Sequence, residues 1–69
     1  MKNKLKIERA LADITQEQLA EKIGVTRQTV NAIEKSRYVP STVLALKIAS
    51  IFGKPVEKIF QLDESDWSG

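Results

Sequence analysis

The sequence predicts an all-α fold, a compact five-helix bundle with a short terminal two-stranded antiparallel sheet. Three observations predict it. Apolar residues recur at helical spacing between sparse breaks at Gly24, Pro40, Gly53 and Pro55. Three of the segments so defined open on a good N-capping residue: Thr15, Thr26 and Ser41. The chain has only 69 residues, with no repeat, low-complexity tract or Gly/Ser linker, so it is one small domain.

A first helix is expected over residues 5–12. Leu5, Arg9 and Ala12 form one stripe and Ile7 and Leu11 another. The second helix starts at Thr15, because Thr15-Gln16-Glu17-Gln18 is a capping box with Thr at N-cap and Gln at N3. Leu19, Ala20 and Ile23 make its buried stripe, and Gly24 is a natural left-handed stop. Thr26 caps a third helix running to about Lys35, with Val30 and Ile33 pointing inward. Ser41 caps a fourth, the most apolar segment, carrying Val43, Leu44, Ile48, Ile51 and Phe52 and ending at Gly53. Pro55 fits the first turn of a short fifth helix reaching about Phe60. Phe60-Gln61-Leu62 then turns extended and pairs with Lys2-Asn3-Lys4-Leu5. Residues 1–62 therefore form the domain, and 63–69 read as a mobile acidic tail carrying Trp67.

Composition narrows the function classes. There is no Cys and no His. A disulfide is impossible, and a structural zinc site is almost excluded, because carboxylates alone seldom make one. No metal or cofactor is expected. A domain of this size then relies on helix packing, on oligomerisation, or on both. An enzyme is nearly excluded as well, since the chain shows no Gly-rich phosphate loop and no carboxylate pair in an evident pocket. The net charge is +2, but residues 1–54 carry ten basic and five acidic side chains, whereas 55–69 carry one basic and four acidic. A basic body suggests a polyanionic partner, the plain alternative being a solvated charged surface. Lys2, Lys4 and Lys6 are followed by no apolar h-region, and the longest unbroken apolar run is Val43-Leu44-Ala45-Leu46. The expectation is a soluble, cytoplasmic protein without a membrane partner.

The informative spacing lies within residues 16–35. Ala20 stands four residues after Gln16, Gly24 four after Ala20, Val30 six after Gly24, and Ile33 three further on. A small residue at Ala20 lets two helices approach, and Gly24 permits positive φ in the turn. Leu19, Ile23, Val25, Val30 and Ile33 fill the wedge. That is a helix-turn-helix unit. On the third helix Arg27, Gln28, Asn31 and, at the far end, Lys35 point outward, with Thr26 at the tip. Arg pairs with guanine O6 and N7, and Gln or Asn with adenine N6 and N7. These side chains sit at the end of the helix that enters the major groove in such proteins. Gln16, Lys35, Arg37 and Tyr38 are placed to touch the phosphate backbone.

The run from Thr15 to Ala20, continued by Val25 through Glu34, resembles the helix-turn-helix domain of the phage lambda-repressor and Cro type. Tyr38-Val39-Pro40-Ser41, Leu44 through Ala49, and Val56 through Phe60 extend the likeness to about residues 4–62. It is most similar to short stand-alone prokaryotic repressors of that family, such as the dimeric repressor of a cytolysin operon. The resemblance implies a homodimeric transcriptional regulator that occupies a palindromic double-stranded DNA operator. It implies that Gln16 contacts phosphate and buttresses the recognition helix, and that Thr26, Arg27, Gln28 and Asn31 face the groove. It also implies a buried ion pair between Arg9 and Glu34, which answers the presence of Arg9 on an apolar stripe. Two departures stand out. Ser36 occupies a position that is often Gly in the family, and Glu8 one that is commonly Leu.

A monomer of this kind reads too few base pairs, so two copies are expected on half-sites about one helical turn apart. Val39, Pro40, Pro55, Val56 and Ile59 are the expected dimer surface. The competing reading is an antitoxin or other protein-interaction module on a helix-turn-helix scaffold, suggested by the acidic segment from Asp63 to Trp67.

Overall fold

The computed structural model describes residues 1–68; Gly69, the last residue of the expected tail, lies outside them. The chain order is β1 (Lys2–Asn3), α1 (Leu5–Leu11), α2 (Gln16–Ile23), α3 (Arg27–Glu34), α4 (Thr42–Phe52), α5 (Val56–Ile59), β2 (Phe60–Gln61) and α6 (Glu64–Trp67). The fold is mostly helical, with one two-stranded antiparallel sheet.

Local chemistry sets the boundaries. Thr15 Oγ1 accepts from the Gln18 N–H at 3.0 Å, and Gln18 Oε1 accepts from the Thr15 N–H at 2.8 Å. This reciprocal box satisfies two donors that a helix start would otherwise leave open. Thr26 and Ser41 cap α3 and α4 through their hydroxyls. Gly24 closes α2 at φ 75° and Gly53 closes α4 at φ 63°. Ser36 also adopts a left-handed conformation, at φ 57°, where a Cβ is strained. Asp13, at φ 56°, turns the chain between α1 and α2.

β1 and β2 pair Lys2 with Gln61 and Asn3 with Phe60. The pairing is shorter than expected, because Leu5 already opens α1. Asn3 does a second job: its Nδ2 donates to the Ile33 carbonyl at 2.8 Å, tying the sheet to the end of α3. The core is built on Leu5, Leu19, Val30, Ile33, Ile48 and Ile59, all fully buried. α2 packs most extensively on α3, and α4 lies behind them against α2 and α5.

The expectations for α1 and for the C-terminal segment are corrected, and the facing of α4 is added. On α1 the inward residues are Leu5 and Glu8, whereas Ile7 and Leu11 are exposed and Ala12 lies beyond the helix in solvent. Glu8 is buried because Lys54, in the turn after α4, places its Nζ 2.8 Å from the carboxylate. On α4, Leu44, Ile48 and Ala49 face the core, while Val43 and Leu46 project from the opposite side at 65% and 55% exposure. Finally, the segment expected as a mobile tail contains a helical turn, α6. Asp66 accepts from the Asp63 N–H at 2.9 Å, and the Met1 ammonium lies 3.2 Å from Asp63 and 3.1 Å from Asp66. The Ser65 hydroxyl, and then the Met1 ammonium, lower the Asp63 carboxyl to a pKa of about 2. Trp67, on this turn, is 78% exposed. Among the described residues no helix is long and apolar enough to cross a membrane.

Candidate nucleic-acid interface

α2, the Gly24 turn and α3 form one rigid wedge. Leu19, Ala20 and Ile23 of α2 are buried against Val30 and Ile33 of α3, which fixes the direction in which the rest of α3 faces. Its outer side carries Arg27 and Gln28, both exposed, and Asn31, half-buried. These three line one shallow hollow of about 260 Å³. Thr26 sits at the tip of α3. Its Oγ1 accepts from the Thr29 N–H at 3.2 Å and lies 3.1 Å from the Thr29 hydroxyl, so the side chain is engaged as a cap.

Behind this face runs a polar chain linking three helices. Arg9 of α1 grips Glu34 of α3 in a fork, with Nε to Oε2 at 2.7 Å and Nη2 to Oε1 at 3.2 Å. Its remaining Nη1 donates to the Ile14 carbonyl at 3.0 Å. Gln16 of α2 donates from Nε2 to Glu34 Oε1 at 3.0 Å and to Asn31 Oδ1 at 3.3 Å. Burial raises the Glu34 pKa, but the hydrogen bonds from Arg9 and Gln16 outweigh it and hold the carboxyl below its ordinary value. The bond to Glu34 in turn raises the Arg9 guanidinium. The structure therefore brings together Arg9, Gln16, Asn31 and Glu34. The resemblance implies that Gln16 buttresses the recognition helix; that it does so by bonds to Asn31 and Glu34 is what the structure adds. The separation of Gln16 and Asn31 by fifteen residues, one on each helix of the unit, is the only signal of their bond in the sequence.

Lys35, Arg37 and Tyr38 follow α3 in the exposed loop. Ser36 N–H donates to the Ile33 carbonyl and Arg37 N–H to the Ala32 carbonyl, both at 2.9 Å, so this loop is anchored to the end of α3. Among the described residues, no ion pair engages Arg27, Lys35 or Arg37. Tyr38 borders a second, mostly apolar hollow with Val25, Gln28 and Leu44.

Of the expected dimer residues, Val39, Pro40 and Val56 line one hollow, whereas Pro55 and Ile59 do not. Ile59 is fully buried in the core, packed there by the short α5, and offers no area to a partner, whereas Pro40, largely buried, still forms part of the hollow's wall. Val39 is exposed and Val56 half-buried beside an apolar hollow of about 290 Å³, which Leu46, Leu62 and Met1 also line. Pro55 is exposed but does not line it. Leu46 and Leu62, not singled out from the sequence, border this hollow, and the signal for Leu46 was its place three residues after Val43 on the outer side of α4. No group of acidic side chains among the described residues is placed to hold a metal ion.

A two-helix wedge with a glycine turn, presenting the unpaired cation Arg27 with the amides of Gln28 and Asn31 on its second helix, defines a helix-turn-helix DNA-binding domain of a transcriptional regulator. The chain belongs to the lambda-repressor-like helix-turn-helix family, whose model, described as "Helix-turn-helix", matches residues 5–59. It is 56% identical over 66 residues to an uncharacterized HTH-type transcriptional regulator of Methanocaldococcus jannaschii, covering 96% of this chain and 100% of that protein. It is 54% identical over 66 residues to another in Bacillus subtilis, again covering 96% and 100%. A third, from Archaeoglobus fulgidus, is 44% identical over 66 residues, covering 96% of this chain and 93% of that protein. The family is one of regulators, and the chain is not an enzyme.

Proposed function

We propose that this regulator binds a palindromic operator as a homodimer in the cytoplasm and represses by occupying it. The observation that carries the reading is the convergence of Arg27, Gln28 and Asn31 on one hollow at the start of α3. α3 lies in the major groove, with Arg27, Gln28 and Asn31 against base edges and Thr26 at its tip. Lys35, Arg37 and Tyr38 hold phosphates beside it. Gln16 supports α3 from behind. Its amide nitrogen is already committed to Glu34 and Asn31, so α2 meets phosphate through backbone N–H groups at its start.

The apolar hollow bordered by Val39, Leu46, Val56 and Leu62 supports a second copy as partner. Sedimentation at micromolar concentration is expected to show a dimer that Leu46→Glu dissociates; a wild-type monomer would remove this part of the reading. The domain is residues 1–62, with 63–69 an appendage to it. A second reading, protein interaction through this appendage, is favoured by one observation: Trp67 stands exposed on an acidic turn.

Binding to random duplex at two salt concentrations tests the leading reading, because phosphate contacts release counterions and affinity then falls steeply with salt. Affinity independent of salt, or no binding, overturns it. Selection from a random duplex pool is expected to return an inverted repeat. Arg27→Ala should relax one base position and cost about 1–3 kcal/mol, whereas Arg37→Ala should weaken all sequences alike.

A further inference from the structure

Trp67 is left uncovered by its own chain. It is the one tryptophan of the sequence, and at 78% it is the most exposed of the large apolar side chains. It stands on α6, a turn closed by a reciprocal box in which Asp63 caps the Asp66 N–H and Asp66 accepts from the Asp63 N–H at 2.9 Å. With that turn formed, the indole presents an area of about 150–250 Å² for burial.

An empty seat lies beside it. Met1 and Leu62 line the apolar hollow of about 290 Å³ between α4 and α5. Leu62 leads into the turn, and the Met1 nitrogen is 3.1 Å from Asp66, the residue before Trp67. The hollow has apolar walls at Leu46 and Val56, and two side chains with acceptor oxygens, Thr42 and Glu57, border it. Among the described residues no hydrogen bond occupies these side-chain oxygens; the bond from Gln61 to Glu57 goes to the backbone carbonyl. An indole is an apolar body with a single N–H donor that needs an acceptor once buried. The hollow offers both halves of that requirement, whereas an aliphatic side chain would strip the two acceptors of water and return nothing.

We propose that Trp67 of one copy seats in this hollow of a second copy, its Nε1–H donating to Glu57 or Thr42, and that the exchange is mutual. The proposal rests on the homodimer of the proposed function and names the residue that each copy lends to the other. The occupant is a second copy because α6 as formed leaves the hollow open and its own indole in water. A two-fold interface is self-complementary. Indole and hollow stand at neighbouring edges of one chain, so a single axis between them serves both seats. Two indoles and the walls they cover supply about 600–1,000 Å², the larger part of the roughly 1,000 Å² that a specific interface needs. Leu46 and Leu62, both exposed, add the remainder. Only the indole enters; Glu64 stays at the wet rim, where water and salt screen it from Glu57.

Fluorescence tests the exchange, because the chain carries one tryptophan and Trp67→Ala is silent. Wild type diluted below its dimerisation midpoint should emit as an exposed indole. Adding excess Trp67→Ala, whose hollow is intact, should shift that emission to the blue and protect it from iodide. The double variant Trp67→Ala with Leu46→Glu should leave it unchanged, since Leu46 is 55% exposed and its replacement spoils the seat without touching the core. By sedimentation, Trp67→Ala alone should dimerise about tenfold or more weakly than wild type. An indole that stays exposed in a wild-type dimer overturns the inference, as does one already buried in the monomer, which would mean it sits in its own chain. Trp67→Ala dimerising as tightly as wild type also overturns it. Each of these leaves the homodimer standing. Wild type that sediments as a monomer at every concentration removes the homodimer itself, and the exchange with it.

Discussion

Arg9 and Glu34 meet in a forked ion pair that joins α1 to α3, with the carboxylate side chain only 5% exposed and the guanidinium 17%. Removing one partner leaves the other charge in a poorly hydrated place. Glu34→Ala is expected to destabilise the fold by about 3 kcal/mol, the lower end for a broken buried pair, because Arg9 keeps an edge in water. Thermal melting checks it, and an unchanged melting temperature would show that the pair does not hold the helices together.

The same pair makes stability depend on pH. Glu34 is raised by burial, but bonds from Arg9 and Gln16 lower it further, so its folded pKa lies below the ordinary 4.5. A carboxyl depressed in the folded state contributes fully above its unfolded value, and the contribution is lost as pH falls through the folded one. Stability should therefore drop below about pH 4.5. Denaturant unfolding of Glu34→Gln across the acid range should show a shallower drop, and parallel curves for the two proteins would contradict the assignment.

Glu8 and Lys54 form a second link, from α1 to the turn after α4. Lys54→Met strands a buried carboxylate and should cost about 1–3 kcal/mol. Replacing both groups, as Glu8→Leu with Lys54→Met, should be neutral or stabilising, because the desolvation of Glu8 is removed along with its partner. Chemical denaturation of the single and double variants checks the order; a double variant weaker than Lys54→Met alone would refute it.

Ser36 holds a left-handed φ of 57° after α3. Glycine removes Cβ strain of about 1–2 kcal/mol there, and its added unfolded-state entropy offsets about 0.4–1 of that. Ser36→Gly should therefore raise stability by about 0.5–1 kcal/mol. A lower melting temperature would mean that the Ser36 hydroxyl, 3.5 Å from Asn3 Nδ2, matters more than the backbone strain.

Residues whose role is local were readable from the chain. Thr15, Thr26 and Ser41 act as caps, and Gly24 and Gly53 as left-handed stops, because each depends only on neighbours a few positions away. The sheet between the chain ends and the wedge residues Leu19, Val30 and Ile33 also followed from pattern. What was not readable depends on distant partners. Glu8 stands out in the sequence only as a departure from a position that is commonly Leu; its burial is not readable until Lys54, forty-six residues away, is brought beside it. Ile7 and Leu11 look like a core stripe, and only the packing of Leu5 and Glu8 turns them outward. Ile59 looks available to a partner, yet the return of β2 to β1 closes the core over it. At the interface, the outward side of α3 followed from its inward pair, whereas the Gln16–Asn31 bond required the angle between the two helices.

In the proposed function, α3 and the loop after it form the DNA-binding surface. NMR titration of the ¹⁵N-labelled chain with duplex DNA tests it most directly. Shift changes are expected to concentrate at Gln16, Arg27, Gln28, Asn31, Lys35, Arg37 and Tyr38 and to fade as salt is raised. Changes centred instead on Leu46, Val56 and Leu62, or no changes with duplex in excess, would contradict it.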